Sequence, residues 1–469
     1  MGVLSIDQST TSTTAILYDA GGKGREVFAA QHRQIYPGAD MVEHDPAELL
    51  SHLRAALAAG RLAGAEVVAL ANQGESCLAW DAVTKEPLSP VLVWQDGRTA
   101  AACREMDAAH GALIRARTGL PVEPYFSAPK LRWITEHVLE VRRAMDRGQL
   151  RLGTTDAYFR DALGAGFATD IATASRTGLM DLARGVWDRE VCALYGLPVE
   201  SLPEITACSG DLGALEGLPL RAAIVDQQAA CFGHGLAKAG EVKITFGTGA
   251  FAFALCGTEV PQAEGPLPTV AWQEAGGPVI YALDGGIHTA SAAVNWGRGL
   301  GLFDDFAEIG GFGGPSALER GLVFVPALAG LACPHWDRAA RGAWLGLTLD
   351  TTPAEMMRAM LEGIAYRSAE VLAAMSAAPG VLRVDGGMTA NRWFCQLLAD
   401  VTGREVQVSA VPELTGFGAA RLAARAMGGD LVLPDAAAHL VPDPAARPLH
   451  DRFAAARRLV QDWGGITGE

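Results

Sequence analysis

Two stretches of the chain, lying half its length apart, share one plan and restrict the fold more than any other feature. The first runs Val3-Leu4-Ser5-Ile6-Asp7-Gln8-Ser9-Thr10-Thr11-Ser12-Thr13-Thr14-Ala15-Ile16-Leu17-Tyr18. Two short, strand-compatible runs flank a polar turn, which reads as a β-hairpin. Asp7 ends the first strand, and Ser or Thr fills every position from Ser9 to Thr13. Small hydroxyl side chains leave backbone N–H groups accessible and add O–H donors, which suits a phosphate chain. A neighbouring carboxylate suits the Mg²⁺ that travels with phosphate. Taken alone, these residues fit a serine/threonine surface turn equally well. The second stretch, Glu241 to Cys256, repeats strand, small-residue and Thr turn, strand around Gly247-Thr248-Gly249. Two such hairpins point to a duplicated architecture whose halves face each other across a nucleotide cleft.

A chain of 469 residues exceeds one ordinary core and fits two domains of about 230 residues each. The boundary is placed near Gly233, giving residues 1–233 and 234–469. A formal charge of −15 argues against nucleic-acid or anionic-membrane partners. It does not argue against ATP, because phosphate sites are built locally. The eight cysteines contain no C-x-x-C pair and read as small core residues in a reducing compartment. No apolar run approaches transmembrane length, no signal peptide precedes the first strand, and Ile6 spoils a myristoylation motif. A soluble cytoplasmic protein is expected.

Along the chain, Asp45-Pro46-Ala47-Glu48 reads as an N-cap with a capping box, opening a helix that Gly60 ends. Glu66 to Ala71 reads as a strand that runs into the polar Asn72-Gln73-Gly74-Glu75-Ser76. Residues 200–222 lack periodicity and read as a connection. Ile224-Val225-Asp226 places a carboxylate where a short apolar strand meets a small-residue helix, a position that by itself often marks only a helix cap. Leu382 to Asn391 reads as strand, Gly386-Gly387 turn and helix start, a geometry open to a nucleotide. Cys333 and His335 do not make a metal site by themselves.

In chain order these segments resemble the FGGY family of carbohydrate kinases, and within it most of all the members that phosphorylate glycerol. The matches are Asp7 to Thr11, Glu43 to Pro46, Asn72-Gln73-x-Glu75, Val93 to Asp96, Tyr125 to Ile134, Ala174 to Thr177, Asp226 to Ala230, Gly247-Thr248-Gly249-x-Phe251, the Pro334 to Gly342 loop, and Arg383 to Gly387. The resemblance implies an α/β protein of two ribonuclease-H-like domains, of the actin, hexokinase and Hsp70 type, with ATP and Mg²⁺ between them. It implies Asp7 near Mg²⁺, Thr10, Thr11 and Ser12 at the phosphates, and Thr248 at the terminal phosphoryl group. Asn295, Gly387 and Asn391 match positions around the nucleoside. Glu75, Tyr125, Asp226, Gln227 and Phe251 match those holding the polyol, and Asp226 matches the general base. A homodimer or higher homo-oligomer is expected.

The sequence departs from that pattern at Gly74, where the glycerol-phosphorylating members carry an Arg that binds glycerol, and at Thr14 and Gly97, which replace two further basic residues. The loss at Gly74 leaves a hole that a longer polyol or a ketose could fill, so a kinase for erythritol, a pentitol, xylulose or ribulose is the alternative. A nucleotide-binding regulator without turnover is the reading from another class. The 200–222 region lacks the Gly-Gly-x-Arg loop through which some members bind fructose 1,6-bisphosphate, so no such control is expected.

Overall fold

In the computed structural model, which describes residues 2–375 and 380–467, each half is built on one mixed sheet. The first starts with an antiparallel meander of β1 (Val3–Gln8), β2 (Ser12–Tyr18) and β3 (Gly24–Gln31). Helix α1 (Pro46–Leu62) follows. Then β4 (Val67–Asn72) pairs parallel with β1, and β5 (Leu218–Val225) pairs parallel with β4. Helix α2 (Asp226–Gly233) leaves the end of β5.

The second sheet repeats the plan. Its hairpin is β6 (Val242–Phe246) and β7 (Ala250–Gly257), continued antiparallel by β8 (Leu267–Gln273) and β9 (Val279–Ile287), with β9 next to β7. Helix α3 (Ser291–Gly299) comes next. On the other side of β6 lies β10 (Leu382–Asp385), parallel to it, followed by α4 (Arg392–Thr402) and the parallel β11 (Val406–Val408). Each central strand, β1 and β6, therefore has its hairpin partner on one side and a parallel strand on the other. The duplication inferred from two turns holds for the two central sheets. A smaller antiparallel sheet lies within the first half (Glu43–His44, Val91–Leu92, Cys77–Asp81 and Leu150–Thr154).

Side chains alternate across β1 as a strand requires. Leu4 and Ile6 join Leu49, Leu53 and Leu57 of α1, whereas Val3 joins Val67, Ala69 and Ala71 on the other face. That second face is closed from far along the chain by α5 (Leu414–Ala426), which packs on β1, β4, β5 and α2. Phe417 and Leu422 share one buried cluster with Ile224 of the first sheet and Phe253 of the second. Helices α2 and α5 touch backbone to backbone. A Cβ at Gly418 would overlap the carbonyl oxygen of Ala229, and one at Gly233 would reach that of Leu414.

Three local expectations need correction. Gly60 does not end α1, which runs on to Leu62; its missing side chain makes room for Leu4 of β1. Asp45 caps α1 by accepting from Ala47 N, but Glu48 does not complete a capping box, because its carboxylate accepts from Arg33 Nε at 3.2 Å. Residues 200–222 are more than a connection, since they hold the strand Glu204–Thr206 and the start of β5. Among the described residues, no helix is long and apolar enough to cross a membrane.

The α2–α5 contact leaves no space for a methyl group. Gly418→Ala is expected to lower stability by about 1–3 kcal/mol through overpacking. Gly299→Ala, whose Cβ would meet nothing within 4 Å, should stay within about 0.5 kcal/mol. Denaturant melts of both variants check this, and equal stabilities would show that the helices can part without cost.

Candidate functional site

The N-terminal turn is held from behind. The Thr10 carbonyl accepts from Gln34 Nε2 at 2.7 Å and lies 2.8 Å from His32 Nε2. The carbonyl of Thr11 accepts from His32 N and that of Ser12 from Ser9 N. With these acceptors engaged on the protein side, the turn can offer donors to an anion. Ser12 Oγ lies 3.2 Å from Ser9 Oγ, and Thr11 is exposed. Thr10 faces two ways, since its Oγ1 accepts from Trp94 Nε1 at 2.9 Å and the residue also lines an acceptor-type cavity.

That cavity, of about 200 Å³, brings together Glu75, Tyr125, Asp226, Gln227 and Phe251, all of the expected polyol residues. Trp94, Arg176, Val225 and Asp284 are also in its wall. Glu75 is 5% exposed and sits at φ +60°, a backbone conformation uncommon outside Gly and a sign of a constrained position. Burial first, and the charge of Asp284 after it, raise its pKa against the opposing pull of Arg176 and Lys130. The Tyr125 phenol is pushed well up by burial and by Glu75, so it stays a hydrogen-bond donor. Gly74 lines the same cavity, and a Cβ there would meet only Val225 Cγ2, at 2.8 Å, within 4 Å.

A second cavity, of about 440 Å³, lies on the other side of Asp226. Asp385, Gly386, Gly387, Ser409, Glu413 and Thr415 line it, and Asp226 and Gln227 belong to both cavities. Three of its lining residues are acidic and none is Lys or Arg. Lys243 lies just beneath, fully buried, donating to Gln227 Oε1 at 2.9 Å and Thr245 Oγ1 at 2.8 Å. Burial raises the Asp385 carboxyl, but His234 at 3.3 Å, Lys243 and Thr245 outweigh it and hold the pKa below the usual range. Asp7 Oδ1 is buried without a hydrogen-bond partner, and burial together with the charges of Asp226 and Glu413 pushes its pKa well up. Asp226 is raised to about 7, by burial first and Glu75 second, against Gln227 N–H, Lys243 and Arg176.

Of the residues matched to the nucleotide, Gly387 lines this second cavity. Thr248 is exposed in the second hairpin turn, where its carbonyl accepts from Ala290 N and Ala292 N at the start of α3. Asn295 is exposed on α3. Asn391 caps α4 by accepting from Phe394 N at 3.0 Å and donates to the Ile309 carbonyl at 2.8 Å, so its amide is engaged within the protein. Thr14 stands across from Asp7 in the β1–β2 register and adds no charge there. Beside Gly97, Arg98 is taken up by Asp96 and Glu43 at 2.8 and 2.7 Å.

Sequence reasoning missed Arg176, Asp284 and Lys243 as site residues. Arg176 lay within a quoted motif, and Asp284 precedes the pair Gly285-Gly286, but neither signal tells that the two side chains meet. Lys243 sits in a strand, where a buried cation leaves no pattern.

Comparisons with known proteins agree with this geometry. The family model for the FGGY family of carbohydrate kinases, N-terminal domain, matches residues 2–233, and that for the C-terminal domain matches residues 242–427. Glycerol kinase of Cereibacter sphaeroides (strain ATCC 17025 / ATH 2.4.3) is 40% identical over 446 residues, 91% of this chain and 90% of its own. Glycerol kinase of Thermus brockianus is 43% identical over 438 residues, 89% and 88% of the two chains. Among solved structures, Plasmodium falciparum glycerol kinase with ADP superposes with a TM-score of 0.88 at 29% identity, covering 99% of this chain and 97% of that one. A xylulose kinase from Rhodospirillum rubrum gives 0.87 at 25% identity, covering 99% and 100%. With both family models in sequence order and relatives aligned over nine-tenths of its length, the chain belongs to the FGGY family of carbohydrate kinases.

Proposed function

We propose that the enzyme transfers the terminal phosphoryl group of ATP to a hydroxyl of glycerol. The observation that carries this reading is that Asp226 and Gln227 line both cavities, so one carboxylate borders the acceptor on one side and the nucleotide on the other. The names of the relatives at 40% and 43% identity support glycerol as the acceptor. A contiguous cavity of about 580 Å³ shares Trp94, Tyr125, Arg176, Phe251 and Asp284 with the small one. It supports a second reading, in which a longer polyol or a ketose extends outward from the same reacting position.

An alcohol is a weak nucleophile. As its oxygen bonds to the terminal phosphorus and the bond to the bridging oxygen breaks, the hydroxyl proton passes to the Asp226 carboxylate and ADP departs. Glu75, Tyr125 and Gln227 present polar groups to the remaining hydroxyls, while Trp94 and Phe251 enclose the carbon chain and keep competing water out. The two cavities hold reactants on either side of one base, which replaces a bimolecular encounter by a positioned one.

The nucleotide side also bears on the metal. A cavity with three acidic residues and no basic one is unsuited to a bare polyphosphate, and Asp7 offers a buried oxygen without a partner. Asp7, with Asp226 nearby, fits Mg²⁺. When bound, the ion neutralises phosphate charge, and such ions are commonly held by one or two carboxylates plus phosphate oxygens. The turn Thr10–Ser12 and Thr248 would flank the phosphates, with Gly387 toward the nucleoside.

Four outcomes are expected. In ADP-release assays with Mg-ATP, kcat/KM for glycerol should exceed that for erythritol, the pentitols, xylulose, ribulose and dihydroxyacetone by at least about tenfold; a longer acceptor winning would select the second reading. Asp226→Ala should lose at least about 100-fold in kcat while keeping nucleotide affinity, checked by calorimetry. The base works deprotonated and its pKa is raised to about 7, so kcat/KM should fall about tenfold per unit below pH 7 and level off above it. Glu75→Gln removes a charge that raises Asp226, so the break should move to lower pH on top of an overall loss. A profile flat from pH 5 to 8 would remove Asp226 as the titrating base.

A further inference from the structure

Arg176 follows the short helix Ile171–Ser175 and is 4% exposed. Its guanidinium is fixed on two sides. Nε donates to Glu75 Oε1 at 2.7 Å, and Nη2 lies 3.0 Å from Asp284 Oδ2, which comes from β9 in the other half of the molecule. The group also lies over the rings of Tyr125 and Phe126, at 5.9 and 5.5 Å from their centroids. Nη1 alone is buried without a hydrogen-bond partner.

An unpaired buried N–H is costly, and on a charged group more so. The same guanidinium lines the small acceptor cavity, where no other Arg or Lys is present among the lining residues. At position 74, which lines the same cavity, there is no side chain to supply a donor. The cavity wall thus holds one cation, and one nitrogen of that cation has no partner within the protein.

We propose that Arg176 is the acceptor-selecting residue of this enzyme, its Nη1 donating to a hydroxyl oxygen of the polyol other than the one that is phosphorylated. The inference rests on the small-polyol reading above and names the residue that sets its specificity. Glu75 and Asp284 then act as positioning residues. They hold the planar fork from two sides so that the third nitrogen reaches inward, which a lysine, with one nitrogen, cannot reproduce. Because one anchor belongs to each half, the acceptor is read by a group that spans the cleft.

The test pairs a variant with substrates lacking one hydroxyl. Kinetic constants are measured for the wild type and Arg176→Lys with glycerol, 1,2-propanediol and 1,3-propanediol, each at saturating Mg-ATP. For glycerol the variant should lose at least tenfold in kcat/KM, mainly through KM, with the KM for ATP unchanged. For the diol lacking the hydroxyl that Nη1 holds, the wild type is already weakened and the variant should lose less than threefold further. An equal loss on all three acceptors would make Arg176 a purely structural bridge and overturn the proposal. If Arg176→Lys does not fold, a crystal structure of the wild type with glycerol decides. A glycerol oxygen within about 3.2 Å of Nη1 supports the assignment, and Nη1 bonded to anything else overturns it. If glycerol is inert but a longer polyol is phosphorylated, only the glycerol reading fails, and the same comparison is run with that polyol and its deoxy forms. A chain that phosphorylates no polyol overturns both.

Discussion

Where α2 and α5 meet, their backbones are in contact, and much of the molecule is arranged by that meeting. Helix α2 begins with Asp226 and α5 follows directly on Glu413, so both N-termini border the nucleotide-side cavity. Glycine at 233 and 418 lets the axes come closer than side chains allow. Partial positive charge at a helix N-terminus favours anions, so two such ends at one cavity offset part of the acidity of its wall. The same contact joins the apolar faces of the two sheets into one core, with Ile224, Phe232, Phe253 and Phe417 in a single cluster. The position of Asp226 and the cohesion of the halves therefore depend on one close approach.

Electrostatics give that geometry its function. Asp7, Glu75, Asp226, Asp284, Asp385 and Glu413 crowd the two cavities, against Arg176 and Lys243. Burial first, and the neighbouring charge of Glu75 second, raise Asp226 from an ordinary value near 3.8 to about 7. Lys243 and His234 exempt Asp385 from this trend. The two cations thus divide the acidic field, with Arg176 on the acceptor side and Lys243 under the nucleotide side.

Much of this plan was legible in the sequence, and what was hidden has a common physical reason. The hairpins, the polar ends of β1 and β4, and Asp226 at the head of a small-residue helix follow from local pattern, because strands and turns declare themselves over a few residues. Pairings between distant segments do not. Nothing local tells that the α5 stretch Leu414–Ala426 covers the first sheet, that Arg176 meets Asp284, or that Val225 lies close to Gly74. Helix ends were misjudged for the same reason. Gly60 is small for the sake of Leu4, and Glu48 serves Arg33 in place of its own helix. In each case a tertiary contact overrode a local rule.

The lateness of α5 in the chain also bears on how the protein is made. About 190 residues separate Gly233 from the end of α5. At about 5–20 residues per second, the inner face of the first sheet stays open for on the order of 10–40 s during synthesis. Val3, Val67, Ala69 and Ile224 remain without their final cover throughout that interval, so the nascent first half is a natural client for chaperones and an aggregation risk when they are scarce. Because the late helix also carries one edge of the larger cavity beside Asp226, the chain completes that cavity at the moment it covers the inner face of its first sheet.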